Sequence, residues 1–140
     1  MAYVSPMHIF EYQAPATLSQ AAAVQNTWYT LLDTTANVRV IMINVSIDTA
    51  NEDLEIRATV DGETIGGLAV TCTAGQENIA YMSLLAAGTD RFGLQTNSSG
   101  RIDYVAFLLE GRSVKIEVRK TTANGAGTLT AACMYAICRC

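Results

Sequence analysis

Apolar and polar residues alternate along most of the chain from residue 26 onward, which is the pattern of half-buried β-strands. The alternation is clearest in residues 54–60 and 114–120, where apolar residues occupy most alternate positions. Residues 38–47 are apolar on both faces for much of their length, so we expect this strand to be central or covered twice. Residues 128–137 are predicted to form the last strand. Further strands are predicted for residues 27–32, 64–70, 78–85, 91–96 and 102–109.

The turns between these segments indicate the fold class. Asp61 and Gly62 separate two predicted strands, and this pair favours the tight turn of a β-hairpin. Short strands that recur at intervals of roughly 8–12 residues, without a long helical pattern, are typical of sandwiches and jelly rolls. We therefore predict an all-β fold, an antiparallel β-sandwich of jelly-roll type with about 8–9 strands in residues 26–140.

Strict alternation through residues 38–47 also predicts which side chains share a face. One face would carry Ile41, Ile43, Val45 and Ile47, and the opposite face Val40, Met42, Asn44 and Ser46.

Residues 1–25 have a different pattern and are predicted to form an extended N-terminal arm. Pro6 and Pro15 favour extended backbone around them, whereas residues 18–24 could form one or two helical turns. Such an arm either folds back on its own sheet or clasps a neighbouring subunit, and we expect the second. The apolar anchors of this interface would be Tyr3, Val4, Ile9, Phe10 and Tyr12.

The strand predicted for residues 128–137 contains no charged residue. One interpretation is that the strand is buried on both faces. The other is that its outer face packs against a neighbouring subunit, because obligate interfaces are apolar in the same way.

Composition narrows the classes of partner. The chain has a net charge of -4, whereas nucleic-acid-binding domains usually carry a basic patch, so we expect no nucleic-acid partner. It contains no apolar run of the roughly 18 residues that a membrane helix needs, so we expect no membrane partner.

Candidate chemistry is sparse, and we expect no catalytic residues, no metal site and no cofactor. The single histidine, His8, lies in the predicted arm without a rigid scaffold around it. Cys72, Cys133, Cys138 and Cys140 lack the spacing of a structural zinc site. A disulfide is one alternative, but without a secretion signal we expect free thiols.

The aromatic residues offer one alternative function. Trp28 and Tyr29 could stack on a sugar, although an aromatic pair within a strand more often belongs to the core. Together with Tyr81 and Tyr104, they are the candidates for a carbohydrate- or receptor-binding surface.

Residues 27–33, 38–43 and 54–62 resemble segments of β-sandwich structural proteins from tailed bacteriophage and related virions. The resemblance implies a non-enzymatic virion protein, such as a capsid decoration (cement) protein. It also implies a symmetric homo-oligomer, with a trimer favoured, and a partner such as the major capsid protein. A carbohydrate- or receptor-binding module of a tail or head fibre is the alternative.

Overall fold

The computed structural model describes residues 9–47, 52–66, 70–72, 77–85, 89–97, 109–121 and 127–139. These residues contain twelve β-strands and no helix. The strands are β1 (Ile9–Tyr12), β2 (Ala16–Gln20), β3 (Tyr29–Thr34), β4 (Val38–Ile47), β5 (Glu52–Val60), β6 (Glu63–Gly66), β7 (Val70–Cys72), β8 (Glu77–Leu85), β9 (Thr89–Asn97), β10 (Leu109–Gly111), β11 (Val114–Lys120) and β12 (Leu129–Arg139).

All strand pairs are antiparallel and form two sheets. The large sheet has seven strands in the order β1-β12-β4-β8-β9, with β2 also beside β12 and β10 also beside β4. The small sheet has five strands in the order β3-β11-β5-β6, with β7 also beside β5. β1 and β2 lie end to end along one edge of the large sheet, because they pair with different parts of β12.

The chain crosses repeatedly between the two sheets. It passes from β2 in the large sheet to β3 in the small sheet, back to β4, and then to β5. As a result, strands remote in sequence are neighbours, with β12 between β2 and β4 and with β11 between β3 and β5. This wrapping is the jelly-roll topology, and it confirms the predicted all-β sandwich.

The hydrophobic core lies between the two sheets. In the small sheet, Leu54, Ile56 and Ala58 of β5 and alternate residues of β11 face inward. The large sheet contributes the fully or nearly fully buried side chains of Val38, Val40, Ile43, Val45, Ile47, Leu129, Ala131 and Cys133.

A β-bulge in β4 changes the predicted assignment of its faces. Met134 of β12 pairs with Met42, but the next residue, Tyr135, pairs with Val40, so Ile41 is the extra residue. Val40 and Ile43 are both fully buried, whereas Ile41 and Met42 are only half-buried. The strict alternation that grouped Ile41 with Ile43 and Val40 with Met42 is therefore wrong at this point, because the extra residue reverses the alternation.

The predicted arm also differs from the structure over residues 9–20. β1 pairs with the end of β12 and β2 with its beginning, so both are edge strands of the large sheet. Ala16 and Leu18 pack against the core, which explains why residues 18–20 are strand rather than helix. An unpaired edge of β12 offers these residues backbone hydrogen bonds that a short isolated helix lacks.

The predicted hairpin between β5 and β6 is confirmed. Asp61 and Gly62 have φ angles of 50° and 88°, which a two-residue turn of this hand requires. The Asp61 carboxylate accepts hydrogen bonds from the backbone N–H groups of Arg112 and Ser113, at 2.7 and 2.9 Å. The turn of one hairpin thus holds the β10–β11 connection. Most of the strand predicted at 102–109 lies outside the described residues.

Candidate docking surface on the large sheet

The outer face of the small sheet is a ladder of opposite charges. Arg57 Nε lies 2.7 Å from Glu117, and Arg119 Nη2 lies 2.6 Å from Glu55. Lys115 Nζ is 3.5 Å from Glu117 on the same face. Because burial under another protein would remove water from every one of these ions, this face is suited to solvent.

Trp28 belongs to this charged face rather than to the core that we predicted for it. The guanidinium groups of Arg57 and Arg119 lie over its ring, 4.2 and 4.4 Å from the ring centroid. The attraction of these cations for the aromatic ring holds Trp28 half-buried on the outer face. Tyr29 does pack against the core, and its hydroxyl accepts a hydrogen bond from the N–H of Val24.

The electrostatics of the ladder centre on Glu117, which is 7% exposed. A hydrogen bond from Arg57 lowers the pKa of Glu117 despite the opposing effect of burial, and the charges of Arg57 and Lys115 add to it. The same hydrogen bond raises the pKa of Arg57. Both groups are therefore charged at neutral pH.

The outer face of the large sheet is different, and strand register identifies its members. Met134 lies opposite Met42, while Ala136 lies between Arg39 of β4 and Tyr12 of β1. Phe10 lies two residues from Tyr12 and therefore on the same face. The bulge adds Ile41 beside Met42. We call five of these residues the apolar patch: Phe10, Tyr12, Ile41, Met42 and Met134. Ala136 lies on the same side of the sheet but is buried.

Beyond the apolar patch, the same face continues as an uncharged zone of small side chains. Its members are Thr17, Ser19, Asn44, Ser46, Thr130 and Ala132. The Ser46 and Thr130 hydroxyls hydrogen bond to each other at 2.7 Å. A shallow depression of about 240 Å³ lies at Asn44, Ser46 and residues 130–132.

On β1, β2, β4, β10 and β12, the charged side chains of this face form one ion pair, and on the neighbouring β8 the register pairs Glu77 with Ser46. Arg39 donates from Nε to Glu110 of β10, and its guanidinium lies over the Phe10 ring, 3.9 Å from the centroid. Glu11 and Arg139 also form an ion pair, but they alternate with the patch residues and so point away from this face. On β1, β4 and β12, the outer face therefore combines apolar side chains with a paired ion at their margin, an arrangement that is common in protein interfaces.

A second concavity, the end groove, lies at one end of the sandwich and has a volume of about 580 Å³. It is lined by Phe10, Asn37, Val38, Arg39, Asp61, Glu110, Gly111, Arg112 and Cys138. Two basic and two acidic side chains line it, so it has no net charge with which to select an ion.

Three of the five predicted interface residues lie in the described part of the chain. Ile9 and Tyr12 are exposed, with 56% and 75% of their surface accessible, and Phe10 is half-buried beneath Arg39. Tyr3 and Val4 lie outside the described residues. Sequence analysis missed Ile41, Met42 and Met134, of which Met134 is 41% exposed. The absence of charge in residues 128–137 was the signal that pointed to this face.

The cysteines differ from one another in state. Cys133 is a free thiol in the core, and burial raises its pKa to about 12, so it is an unreactive thiol at neutral pH. Cys138 is disulfide-bonded, which corrects the expectation of free thiols for this residue. Within the described residues, no cluster of three or more His, Cys, Asp or Glu side chains is arranged to hold a metal ion. The same residues include no helix long and apolar enough to span a membrane.

Comparison with protein-family models and with curated proteins finds no match. Among solved structures, the chain is similar to that of the Gx strain of infectious bursal disease virus, with 13% identity, a TM-score of 0.37, and coverage of 91% of this chain and 36% of the other. A VP2 subviral particle of infectious bursal disease virus gives 15% identity, a TM-score of 0.35, and coverage of 91% and 33%. The T13 particle of the same virus gives 14% identity, a TM-score of 0.22, and coverage of 91% of this chain and 36% of the other.

The chain thus spans about a third of the length of these solved proteins. At these identities and TM-scores, the similarities are evidence for neither the fold nor a function. The fold is assigned from the strand pairing, and the candidate surface is assigned from the strand register described above.

Proposed function

We propose that the chain is a non-enzymatic structural component of a virus particle, a capsid decoration protein that acts by protein–protein contact. The observation that carries the proposal is the contrast between the two outer faces of the sandwich. One face is a ladder of ion pairs, whereas the other presents an apolar patch bordered by short uncharged side chains on one side and by the Arg39–Glu110 ion pair on the other.

Physical chemistry supports a contact role for the large-sheet face. Large apolar side chains exposed together on a folded protein usually mark an interaction site, and the exposed Tyr12 pairs with Ala136, two positions along β12 from the exposed Met134. On the side of the patch away from Arg39, the neighbouring side chains are Thr, Ser, Ala and Asn, which let another backbone approach closely. The face is therefore suited to a broad, flat protein contact.

The sequence resemblance to virion β-sandwich proteins supports a virus particle as the place of that contact. A repetitive lattice such as a capsid multiplies a weak contact, because many copies bind at once. The partner would be the major capsid protein or another virion protein, with the chain assembled as a symmetric homo-oligomer.

A test is to purify particles of the virus that encodes this chain through successive density gradients and quantify the chain by mass spectrometry. The proposal predicts a constant ratio of the chain to the major capsid protein through every gradient. Particles that retain infectivity and density but contain none of the chain would overturn it.

A matched pair of variants links incorporation to the surface. Met134→Asp places a charge in the apolar patch, and Thr64→Asp places the same charge at an exposed position of β6 in the small sheet. Incorporation into particles is expected to fall at least tenfold for Met134→Asp and to remain unchanged for Thr64→Asp. Equal incorporation of both variants would contradict the assignment of the large-sheet face.

A further inference from the structure

We infer that β1 and β2 exchange between copies of this chain, so that these two strands of one copy pair with β12 of another. Residues 9–20, which contain both strands, are called the edge segment. Within one chain the edge segment pairs along β12, from Arg139 to Leu129. The partner is therefore a second copy, and the surface that receives it is the edge of β12. This inference does not depend on the proposed virion role.

The edge of β12 already fits the edge segment. β1 and β2 form antiparallel ladders with β12, and Leu18 of β2 packs against the core. Between the two strands, the N–H of Gln13 donates to the Tyr135 carbonyl oxygen at 3.0 Å. Glu11 of β1 forms an ion pair with Arg139 of β12. Because every copy has the same β12, the edge segment of another copy can make all of these contacts, and exchange loses none of them.

The connection between β2 and β3 contains a part that is anchored to its own chain. Ala23 is 1% exposed and belongs to the core. The N–H of Asn26 donates to the Lys120 carbonyl oxygen of β11 at 2.7 Å. Residues 23–26 therefore stay with the body of their own copy. Residues 21 and 22 join β2 to this anchored part, so they are the hinge of the exchange.

The backbone of this hinge is strained. Ala22 has a φ angle of 48°, in the left-handed region where the Cβ of alanine is crowded. Ala22 is also exposed, so its side chain has little core packing to lose when the hinge extends. A short hinge under strain favours exchange of the segment that it carries. Extension of Ala22 therefore shifts the balance toward the exchanged form.

Two further residues favour the exchanged form. Pro15 lies between β1 and β2 and restricts Ala14 to extended backbone, which limits the entropy that the edge segment loses when it pairs. Val24 follows the hinge closely and is 54% exposed. In an exchanged assembly the hinge crosses from one copy to another, so Val24 lies near the contact between copies. Burial of its apolar side chain there would stabilise the assembly.

Cross-linking between differently substituted chains tests the exchange. Ser19 and Thr130 are direct partners across β2 and β12. Full chains with Ser19→Cys and ¹⁵N-labelled full chains with Thr130→Cys are mixed in urea without reductant, refolded together and oxidised. Mass spectrometry of the peptides then shows which chains are joined. The inference predicts a covalent heterodimer linked at these two positions, because β2 of one chain pairs with β12 of the other.

A mixture of Thr59→Cys chains and Thr64→Cys chains is the matched control. Thr59 and Thr64 are also direct partners, and their hydroxyl oxygens lie 3.1 Å apart. A turn of two residues joins their strands and is too short to carry one of them to another copy, so this mixture should give no heterodimer. Equal yields from the two mixtures would overturn the inference.

A chain that carries both Ser19→Cys and Thr130→Cys shows that this pair can be oxidised. In an exchanged assembly, the disulfide of this chain links one copy to another. A disulfide confined to monomers, together with no heterodimer from the mixture of single variants, would overturn the inference.

Ala22→Gly tests whether the hinge drives the exchange. Glycine adopts a φ angle of 48° without strain, so this variant stabilises the unexchanged monomer. The dissociation constant of the oligomer, measured by sedimentation equilibrium, should rise at least about fivefold. Asn26→Gly is the control, because Asn26 has a φ angle of 58° but lies in the anchored part, so it should leave this constant unchanged. Equal shifts from both variants, or a wild type that is monomeric at every concentration, would overturn the inference.

Discussion

At the residue scale, the charged face depends on a few well-defined contacts. Glu117 receives a hydrogen bond from Arg57 and lies near Lys115, and all three side chains come from neighbouring positions on β5 and β11. Breaking such a pair costs more than breaking an exposed ion pair, because Glu117 is almost completely buried and water cannot readily replace its partner. Its contribution depends on the charge of the carboxylate.

Glu117→Gln is expected to lower the free energy of unfolding by about 1–2 kcal/mol at pH 7, through loss of the charge-assisted hydrogen bond. Folding lowers the pKa of Glu117 below its ordinary value of 4.5. The stabilisation is therefore present above pH 4.5 and is lost as the pH falls through the lower folded pKa. Urea unfolding of wild type and variant from pH 7 down to pH 2 measures this.

Glu63→Gln provides the control, because Glu63 is an exposed carboxylate on β6. Glu63→Gln should change the free energy of unfolding by less than about 0.5 kcal/mol. If Glu117→Gln lowers the free energy of unfolding by the same amount from pH 7 to pH 2, the ionised Glu117–Arg57 pair is not the cause of the loss.

Gly111 is a second residue whose identity follows from its surroundings. A Cβ atom at this position would lie 2.6 Å from Val60 Cγ1 and 3.2 Å from both carboxylate oxygens of Asp61. Gly111→Ala is therefore expected to destabilise the protein by about 1–3 kcal/mol, measured by urea unfolding.

Val60→Ala removes the methyl group that the new Cβ would strike. In that background, the loss caused by Gly111→Ala should shrink, which a double-mutant cycle detects. If the losses of unfolding free energy from the two substitutions are strictly additive, the close approach to Val60 is not the cause of the destabilisation by Gly111→Ala.

At the scale of elements, the bulge in β4 has the largest consequence. Ile41 and Ile43 are two positions apart, and strict alternation places them on one face. In the structure, Ile43 is fully buried, whereas Ile41 is half-buried on the outer face. The bulge thus supplies both the inner core and the apolar patch from one strand.

A pair of equal substitutions tests this assignment. Ile43→Thr places a hydroxyl and a cavity in the core, and it should cost about 2–4 kcal/mol of unfolding free energy. Ile41→Thr should cost less than about 1 kcal/mol, because its side chain is outside the core. Chemical unfolding of the two variants measures the difference. Equal losses of unfolding free energy would mean that Ile41 and Ile43 lie on the same face of β4 and that the bulge does not reverse the alternation.

The sequence pattern predicted most elements but not their departures from regularity. β4 and β11 have the predicted bounds. The Asp61–Gly62 turn is also as predicted, because this pair of residues favours the positive φ angles of a tight hairpin. Alternation cannot reveal a bulge, because the extra residue is selected by pairing with β12, a strand remote in sequence. For the same reason, the edge positions of β1 and β2 could not be predicted from residues 1–25 alone.

The candidate surface was predicted in part. The uncharged composition of residues 128–137 indicated an unusual outer face, and Phe10 and Tyr12 were named as anchors. Trp28 was misplaced, because its partners Arg57 and Arg119 lie on two other strands whose pairing only the fold establishes. Long-range cation–π contacts leave no local sequence pattern.

At the scale of the whole molecule, the sandwich has two unlike faces. The ion pairs of the small sheet favour water, and the apolar patch of the large sheet favours another protein surface. β1 and β2 extend the large sheet and place Tyr12 beside Met134, so the amino-terminal strands help to build the docking surface. The proposed contact with another protein is therefore placed on the part of the large-sheet face formed by β1, β2, β4 and β12.

Hydroxyl-radical footprinting of the methionines in the assembled protein tests this central claim most directly. The rate of Met134 oxidation is compared between the assembled protein and the protein dissociated by dilution. The account predicts at least fivefold slower oxidation of Met134 in the assembly. An unchanged rate in a demonstrably assembled protein would contradict it, because Met134 would then remain open to solvent.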